Sequence, residues 1–491
     1  MEAPLTVDGS TLTCAQVREV ARQQRAVWLD PVALERVAAA QAVATEATGP
    51  VYGRTTGVGA NREFSVVDSA EHGLRLLRSH TGGAGPLVAP ELARALLLVR
   101  LNQLAAGGSG VAPGALEAMA EALNLGLLPP VRTFGSVGTG DLTALAATAL
   151  CLRGELGWLG SGAAWRPFPL DPGQALAFVS SNAASIGEAA LACADAADLL
   201  AAALPVTALV FLAARGSLQA YQPAAHQSRP HPGQAWAAGR LYLLLVDQGA
   251  VPARLQDPFC LRAAPQVHGP VLEQLATAEA TVSVELNAAA ENPRFDAAGR
   301  QVLHNGNFHT AGLAVALDAF RLALYQSAAL SVARLAALLE PAVTGLPAFL
   351  ATGPAGSSGL MILEYVAHSA LAELRQQATP VTLGSAVLSR GVEEHAPFTA
   401  QAARATTAAL AAYRTVLAVE AVAAVRALRL AGRKPVGELG TVYRMLADTL
   451  DPDLADRPCE QDVDRAATLL PDLARLALSS PFRPAANRLG E

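Results

Sequence analysis

The sequence predicts a mainly α-helical protein, a bundle of long helices with a loop-rich N-terminal region. Hydrophobic residues make up 52% of its 491 residues and aromatic residues only 5%, which favours close-packed helices over a β-sandwich. Residues 310–340 contain one glycine and no proline, and residues 398–431 contain neither. A helix of about 30 residues is about 45 Å long, well above the globular average. Since both stretches are apolar on most faces, we expect them inside a bundle that another subunit partly covers.

The first part of the chain differs from the rest. It alternates short helical patterns with glycine-rich loops. These loops cover residues 52–59, 82–85, 107–110 and 135–141. The later part is dominated by long helical periods. We therefore divide the chain into an N-terminal loop-rich region, 1–200, and a C-terminal long-helix bundle, 201–491.

Composition excludes several classes of protein. The net charge of −6 shows no basic excess, so nucleic acid is not an expected partner. Residues 1–13 lack a basic segment followed by an apolar core, so no export signal is expected. The longest mostly apolar run, Leu199–Ala214, contains Pro205 and is shorter than the roughly 20 residues of a membrane span. The five cysteines form no Cys-x-x-Cys pair, which is typical of buried thiols in a reducing cytoplasm.

The most informative stretch is Gly135–Leu142, Gly-Ser-Val-Gly-Thr-Gly-Asp-Leu. Glycines on both sides of Thr139 permit a tight, strained turn that a Cβ atom would crowd. A phosphate-binding loop is disfavoured, because no Lys-Ser/Thr follows and Pro129-Pro130 precedes the turn in place of a strand. The sequence therefore predicts no nucleotide cofactor.

This turn resembles the Gly-Ser-Val-Gly-Ala-Ser-Gly-Asp-Leu segment of the histidine and phenylalanine ammonia-lyase family. Nine further stretches resemble family motifs in the same order along the chain. They are Val51–Gly59, Ser79-His80, His226–Gln234, Gln256–Arg262, Asn287–Pro293, Gly306–His309, Gly345–Pro347, Ser358–Ile362 and Glu393–His395. The chain is identified as a member of this family. The resemblance implies a long-helix bundle of the ammonia-lyase (fumarase/aspartase-like) type and a homotetramer.

The resemblance also implies a prosthetic group. In the family the internal Ala-Ser-Gly cyclises and loses two waters, giving a methylidene-imidazolone (MIO) with an electron-poor alkene. Here the stretch is one residue shorter. Either Thr139 fills the alanine position and the serine is absent, or Gly138, Thr139 and Gly140 form the triplet with Thr139 in the serine's role. A third alternative is a matured serine omitted from the written chain. In the second alignment an MIO-type group forms at 138–140, and Asp141 lies beside the dehydrating hydroxyl.

Five substrate-facing positions of the family are kept. The resemblance implies that Tyr52 removes the β-proton of the substrate and that Arg262 pairs with its carboxylate. A planar guanidinium that binds a carboxylate through two hydrogen bonds suits that role. His80, Phe308 and Glu393 match positions that face the substrate.

Two departures lie in the substrate site. Ser180 stands where the family carries an asparagine that holds the prosthetic ring or the substrate amine, and Asn182 lies two residues on. Phe259 replaces a tyrosine whose hydroxyl assists elimination. Losing a positioned proton-transfer group costs on the order of 10²–10⁴ in rate. The kept positions predict a site that binds an α-amino acid, and the two departures leave altered chemistry open as an alternative.

Metal binding is not expected. His304 with His309, and His226 with His231, are the histidine pairs closest in sequence. Neither pair has the i, i+4 spacing with an intervening glutamate that a zinc site would show.

The sequence thus predicts a cytoplasmic homotetramer that eliminates ammonia from an aromatic L-amino acid, leaving an α,β-unsaturated acid. His80 with Glu393 favours a polar ring, so histidine comes first and tyrosine or phenylalanine next. Two alternatives stay open. One is an aminomutase, which adds the amine back. The other is a catalytically silent amino acid-binding homologue without the ring, or a structural subunit of a mixed oligomer.

Overall fold

The structure of the protein, a computed structural model, describes residues 3–477 and residue 482. Most of these residues are helical, which confirms the predicted fold class. The α-helices are α1 Cys14–Gln23, α2 Pro31–Glu46, α3 Ser69–His80, α4 Pro90–Ala105, α5 Pro113–Asn124, α6 Leu142–Leu152, α7 Ala175–Val179, α8 Ala183–Ala213, α9 Pro223–Gln227, α10 Pro232–Leu245, α11 Phe259–Arg262, α12 Ala264–Leu286, α13 Ala311–Leu339, α14 Pro341–Thr344, α15 Met361–Gln377, α16 Thr399–Leu430, α17 Gly437–Thr449 and α18 Glu460–Ala477.

The strands are short and pair two by two. They are β1 Leu5–Val7, β2 Val27–Leu29, β3 Ala84–Leu87, β4 Leu127–Leu128, β5 Arg132–Phe134, β6 Leu159–Gly160, β7 Arg294–Asp296 and β8 Gln301–Leu303. Strand β1 runs parallel to β2. The pairs β3–β5, β4–β6 and β7–β8 are antiparallel. Strand β5 leads directly into the Gly135–Asp141 turn.

The chain forms two compact units, each built from three separate stretches. Unit 1 consists of Met1–Ala194, Glu279–Leu317 and Pro380–Arg404. Unit 2 consists of Asp195–Ala278, Asp318–Thr379 and Ala405–Glu491. The division into 1–200 and 201–491 stays a prediction, and neither compact unit is a single continuous stretch. Unit 1 also includes two later stretches of the chain, Glu279–Leu317 and Pro380–Arg404. Several boundaries between the units fall inside long helices, which continue past those boundaries.

Two of the longest helices confirm the sequence prediction. Helices α13 and α16 cover nearly all of the stretches that lack helix-breaking residues. Together with the stretch Pro172–Ala213, they are long and apolar enough to cross a membrane by length and composition alone. The interpretation of Leu199–Ala214 as a short apolar run was wrong, since α8 continues through Pro205. The apolar window of the Pro172–Ala213 stretch is 89% buried within the fold, so core packing accounts for its composition.

Helix α13 keeps an exposed face. Its apolar window is only 56% buried, against 72% for α16. Val315 and Leu322 are 57% and 49% exposed. All exposed positions of α13 lie on one stripe, which two half-buried alanines complete. The stripe consists of Gly312, Val315, Ala319, Leu322, Gln326, Ala329, Ala333 and Ala336. Its alternating spacing of three and four is the pattern of a helix that packs along another helix.

Candidate active site

The Gly138–Gly140 turn in unit 1 has no room for a side chain at its first residue. Gly138 has a φ of +91° and Gly140 a φ of +132°, in the region that favours glycine. A Cβ atom on Gly138 would lie 2.7 Å from Pro397 Cγ and 2.8 Å from the amide nitrogen of Thr399. The turn is therefore shaped around a glycine at position 138.

Both ends of this turn are held by hydrogen bonds. The Thr310 hydroxyl donates to the carbonyl oxygen of Gly138 at 3.1 Å. The amide of Gly140 donates to Asn182 Oδ1 at 2.9 Å, and Asn182 Nδ2 donates to the carbonyl of Phe308 at 2.5 Å. An MIO-type ring would join the Gly140 nitrogen to the Gly138 carbonyl carbon. The turn thus offers a polarised carbonyl and an amide aimed at an acceptor, and in this respect its residues fit the group.

Asp141 follows the turn and is 2% exposed. Its carboxylate accepts from the Ser185 amide at 2.7 Å and from the Ser185 hydroxyl at 2.9 Å, at the start of α8. Burial raises the pKa of Asp141, while hydrogen bonds from Ser136, Ser185 and Ala184 act in the opposite direction. The pKa of Asp141 is raised because burial is the largest of these effects.

Tyr52 lies in the Val51–Gly59 loop, and its hydroxyl oxygen accepts from the Gly59 amide at 2.7 Å. Burial raises the pKa of Tyr52; the Gly59 hydrogen bond lowers it, the Glu393 carboxylate raises it and Arg62 lowers it. A Cβ atom on Gly59 would come 2.4 Å from Ser389 Oγ and 3.3 Å from Glu393 Oε1. The fold therefore brings Tyr52 and Glu393, two predicted site residues, within electrostatic range of each other.

The other predicted residues of unit 1 differ in how close they come to the turn. Asn182, not Ser180, contacts it, because the Ser180 hydroxyl accepts from the amide of Asn292 at 3.2 Å. Phe308 is linked to the turn through Asn182. His80 ends α3, and its Nδ1 lies 2.9 Å from the carbonyl oxygen of Leu76. The hydrogen bonds found for the His80 ring stay within its own helix.

Unit 2 contains Phe259 and Arg262 on α11, at a cavity of about 610 Å³. The Arg262 guanidinium lies 4.5 Å from the centroid of the Phe259 ring, which is a cation–π contact. Arg262 Nε and Gln266 Oε1 are both buried without a hydrogen-bond partner among the described residues. Gln266 lines the same cavity, and nothing in the sequence signalled it.

The carboxylate nearest to Arg262 in sequence is already taken. Asp257 accepts from Arg254 Nε at 2.7 Å and from the Ser217 amide at 2.6 Å. The Tyr221 hydroxyl donates to the carbonyl of Leu261 at 2.6 Å and fixes the backbone next to Arg262. No ion pair joins Arg262 to a carboxylate in residues 3–477. Its charge is therefore available to a ligand.

The histidine pairs considered for a metal have other partners. The Tyr52 amide donates to His304 Nε2 at 3.2 Å, and His309 Nε2 lies 3.0 Å from His395 Nδ1. His226 Nε2 lies 3.0 Å from the carbonyl oxygen of Ala220. In the part of the chain that the structure describes, no three His, Cys, Asp or Glu residues cluster as metal ligands.

Comparison with known proteins agrees over almost the whole chain. Residues 12–448 match the family model described as aromatic amino acid lyase. A histidine ammonia-lyase of Treponema denticola is 33% identical over 489 residues, covering 95% of this chain and 96% of that protein. The structure of tyrosine aminomutase from Streptomyces globisporus matches with a TM-score of 0.91 and 29% identity, covering 98% of this chain and all of that one. The ergothionase structure from Treponema denticola matches with a TM-score of 0.88 and 25% identity, covering 96% and 99%.

Proposed function

Because this chain belongs to the aromatic amino acid lyase family and is a carbon–nitrogen lyase, we propose that it eliminates ammonia from an aromatic L-amino acid. Histidine is the favoured substrate, and tyrosine and phenylalanine come next. The similarity to a histidine ammonia-lyase over nearly the full length supports this order. So do His80 and Glu393, since both provide polar groups suited to an imidazole ring. We further propose a cytoplasmic location.

The observation that carries this proposal is the double anchoring of the turn. The Gly138 carbonyl accepts from Thr310, and the Gly140 amide donates to Asn182. We propose that Gly138, Thr139 and Gly140 form the MIO-type group, with Asp141 assisting loss of the Thr139 hydroxyl. When present, this group supplies an electron-poor alkene that activates the substrate amine as a leaving group.

Tyr52 is the proposed base for the β-proton. At neutral pH its raised pKa keeps the hydroxyl protonated in the free protein, so the base form becomes more abundant as pH rises. The Gly59 amide stabilises the phenolate by its hydrogen bond at 2.7 Å. Tyr52 is thus a base whose strength is set by burial, by one hydrogen bond and by the Glu393 charge.

Arg262 is the proposed carboxylate-binding residue. Its unpartnered Nε and the absence of a paired carboxylate among the described residues support a ligand role over a structural one. Buried donors are normally satisfied, so one left open next to a cavity points to a ligand. Phe259 stacks against the same guanidinium and limits its rotation.

We propose that the protein works as a homotetramer with sites shared between subunits. The exposed stripe of α13 supports this, because it carries apolar and small residues at coiled-coil spacing. Sedimentation at micromolar concentration should give a tetramer, and Leu322→Glu should dissociate it. A stable monomer of the unaltered chain would contradict the assembly.

An aminomutase is the second candidate, favoured by the likeness to tyrosine aminomutase. A silent amino acid-binding homologue is the third, favoured by the Thr139 hydroxyl, for which no hydrogen bond is found in the described chain. Incubation with histidine, tyrosine and phenylalanine, followed by assays for ammonia, unsaturated acid and β-amino acid, separates all three. Free ammonia with unsaturated acid supports the lyase, a β-amino acid supports the mutase, and no product from any of the three amino acids would refute catalysis on this substrate class.

A further inference from the structure

Thr310 is buried against the turn with its hydroxyl proton directed at one atom. Its side chain is 1% exposed. Its hydroxyl donates to the Gly138 carbonyl oxygen at 3.1 Å, and its amide lies 3.5 Å from the same oxygen. Two donors from one residue thus converge on a single carbonyl oxygen, which is the arrangement that stabilises negative charge developing on oxygen.

A second buried threonine lies beside Thr310. The Thr399 hydroxyl is 0% exposed, lies 2.8 Å from the Thr310 hydroxyl and donates to the Thr310 carbonyl at 3.1 Å. With the Thr399 proton on the Thr310 carbonyl, the Thr310 hydroxyl proton has two acceptors within reach, the Gly138 oxygen at 3.1 Å and the Thr399 hydroxyl oxygen at 2.8 Å. Of these two hydroxyls, Thr310 is the one that bonds the turn directly.

The same chain segment also holds the opposite end of the turn. The Phe308 carbonyl accepts from Asn182 Nδ2, which orients Asn182 Oδ1 toward the Gly140 amide. The segment from Phe308 to Thr310 thus contacts the carbonyl at one end directly and the amide at the other through Asn182. Both groups are the ones that would react in a ring closure of Gly138-Thr139-Gly140.

We propose that Thr310 is a catalytic residue for maturation of the turn, stabilising charge on the Gly138 oxygen while the Gly140 nitrogen adds to the Gly138 carbon. This inference rests on the proposed ring. One water leaves with the Gly138 oxygen and the amide protons of Gly140 and Thr139. The second leaves with the Thr139 hydroxyl and its Cα proton. No oxidant or co-reactant is needed, and the mass of two waters is lost.

The test is the intact mass of freshly made full-length protein, followed over time. Thr310→Val keeps the shape and the amide but removes the hydroxyl donor, and should slow the loss of two waters by about 10²-fold. Thr310→Ser restores the donor and should mature as the unaltered chain does. Thr399→Val is the matched control, because it removes the neighbouring buried hydroxyl and leaves Thr310 with the Gly138 oxygen as acceptor.

Each outcome decides one point. Equal maturation of Thr310→Val and the unaltered chain would overturn the role of Thr310 while leaving the ring in place. No mass loss in the unaltered chain would overturn both the ring and this inference. Mass loss without ammonia release would refute the proposed function and leave the inference standing. If Thr310→Val melts well below the unaltered chain, the maturation rate of Thr310→Ser is compared with that of Thr310→Ala. This pair tests the hydroxyl with a smaller change in volume.

Discussion

The turn of unit 1 and the cavity of unit 2 differ in how far the chain satisfies its own polar groups. In the unit 1 turn, the Gly138 carbonyl, the Gly140 amide and both carboxylate oxygens of Asp141 have partners. In the unit 2 cavity, Arg262 Nε and Gln266 Oε1 have none among the described residues. A buried polar group without a partner costs about 1–3 kcal/mol. The turn is therefore organised before any ligand arrives, and the cavity keeps hydrogen-bonding capacity for one.

The largest effect is expected for Arg262 in the unit 2 cavity. Arg262→Ala should weaken binding of the unsaturated acid product by about 3–6 kcal/mol, because two charge-assisted bonds to its carboxylate are lost at about 1.5–3 kcal/mol each. The melting temperature without ligand should hardly change, since no carboxylate of the described chain loses a partner. Calorimetric titration and thermal unfolding measure the two quantities on the same variant.

Arg254 supplies the matched control for that experiment. It bonds Asp257, the carbonyl of Val343 and the carbonyl of Ala214. Arg254→Ala should therefore lower the melting temperature in the absence of ligand. If Arg262→Ala binds the product unchanged and its fold is destabilised, then Arg262 is a structural residue and does not bind the carboxylate.

A smaller effect, on stability, is expected for Gly138 in the unit 1 turn. Gly138→Ala places a Cβ atom against Pro397 and Thr399 at a φ of +91°. Strain and overpacking together should lower the free energy of unfolding by about 2–4 kcal/mol. Denaturant unfolding measures this change, and intact mass should show no loss of two waters.

Gly239→Ala is the control for Gly138→Ala. Gly239 lies inside α10 with nothing within 4 Å of an added Cβ atom. Alanine should leave stability unchanged or raise it slightly, because it is the better helix former. A Gly138→Ala variant as stable as Gly239→Ala would show that the turn is not tightly held.

The smallest effect is expected for Tyr52. Its hydroxyl has one hydrogen-bond partner, the Gly59 amide. The Glu393 carboxylate raises the pKa of Tyr52. Glu393→Gln removes that charge, so the pKa should fall and the rising limb of the kcat/KM profile should move to lower pH. Since Glu393 is exposed and screened by salt, we expect a shift of about a few tenths of a pH unit. Glu394→Gln should leave the limb in place, and a shift to higher pH would contradict Tyr52 as the base.

Much of the fold was predictable from where helix breakers are missing. Helices α13 and α16 match the predicted stretches, 310–340 and 398–431, to within one residue at all four ends. Helix α8 was not singled out from the sequence, and it continues through Pro205. Inside a helix a proline removes one hydrogen bond and crowds the preceding turn, and here burial of the apolar residues around it outweighs that cost.

The site was predictable where motifs identify residues and unpredictable where only three-dimensional contacts do. Tyr52 and Arg262 stand in recognisable segments. Thr310 lies 172 residues from Gly138, just before α13 begins. Thr399 is the first residue of α16. Threonine beside a helix start predicts an N-cap, so their sequence context points to capping and not to contact with the turn.

The order in which the ribosome makes these residues has a consequence for the turn. Unit 1 is completed only by Pro380–Arg404, and the Gly138 carbonyl gains its Thr310 donor 172 residues after the turn itself is made. At about 5–20 residues per second, the nascent turn waits roughly 10–30 s for Thr310 and longer for Thr399. Until then the emerging chain carries the turn without its Thr310 donor. Under the proposed maturation, we therefore expect ring closure mostly late in translation or after release, when most of the protein already exists.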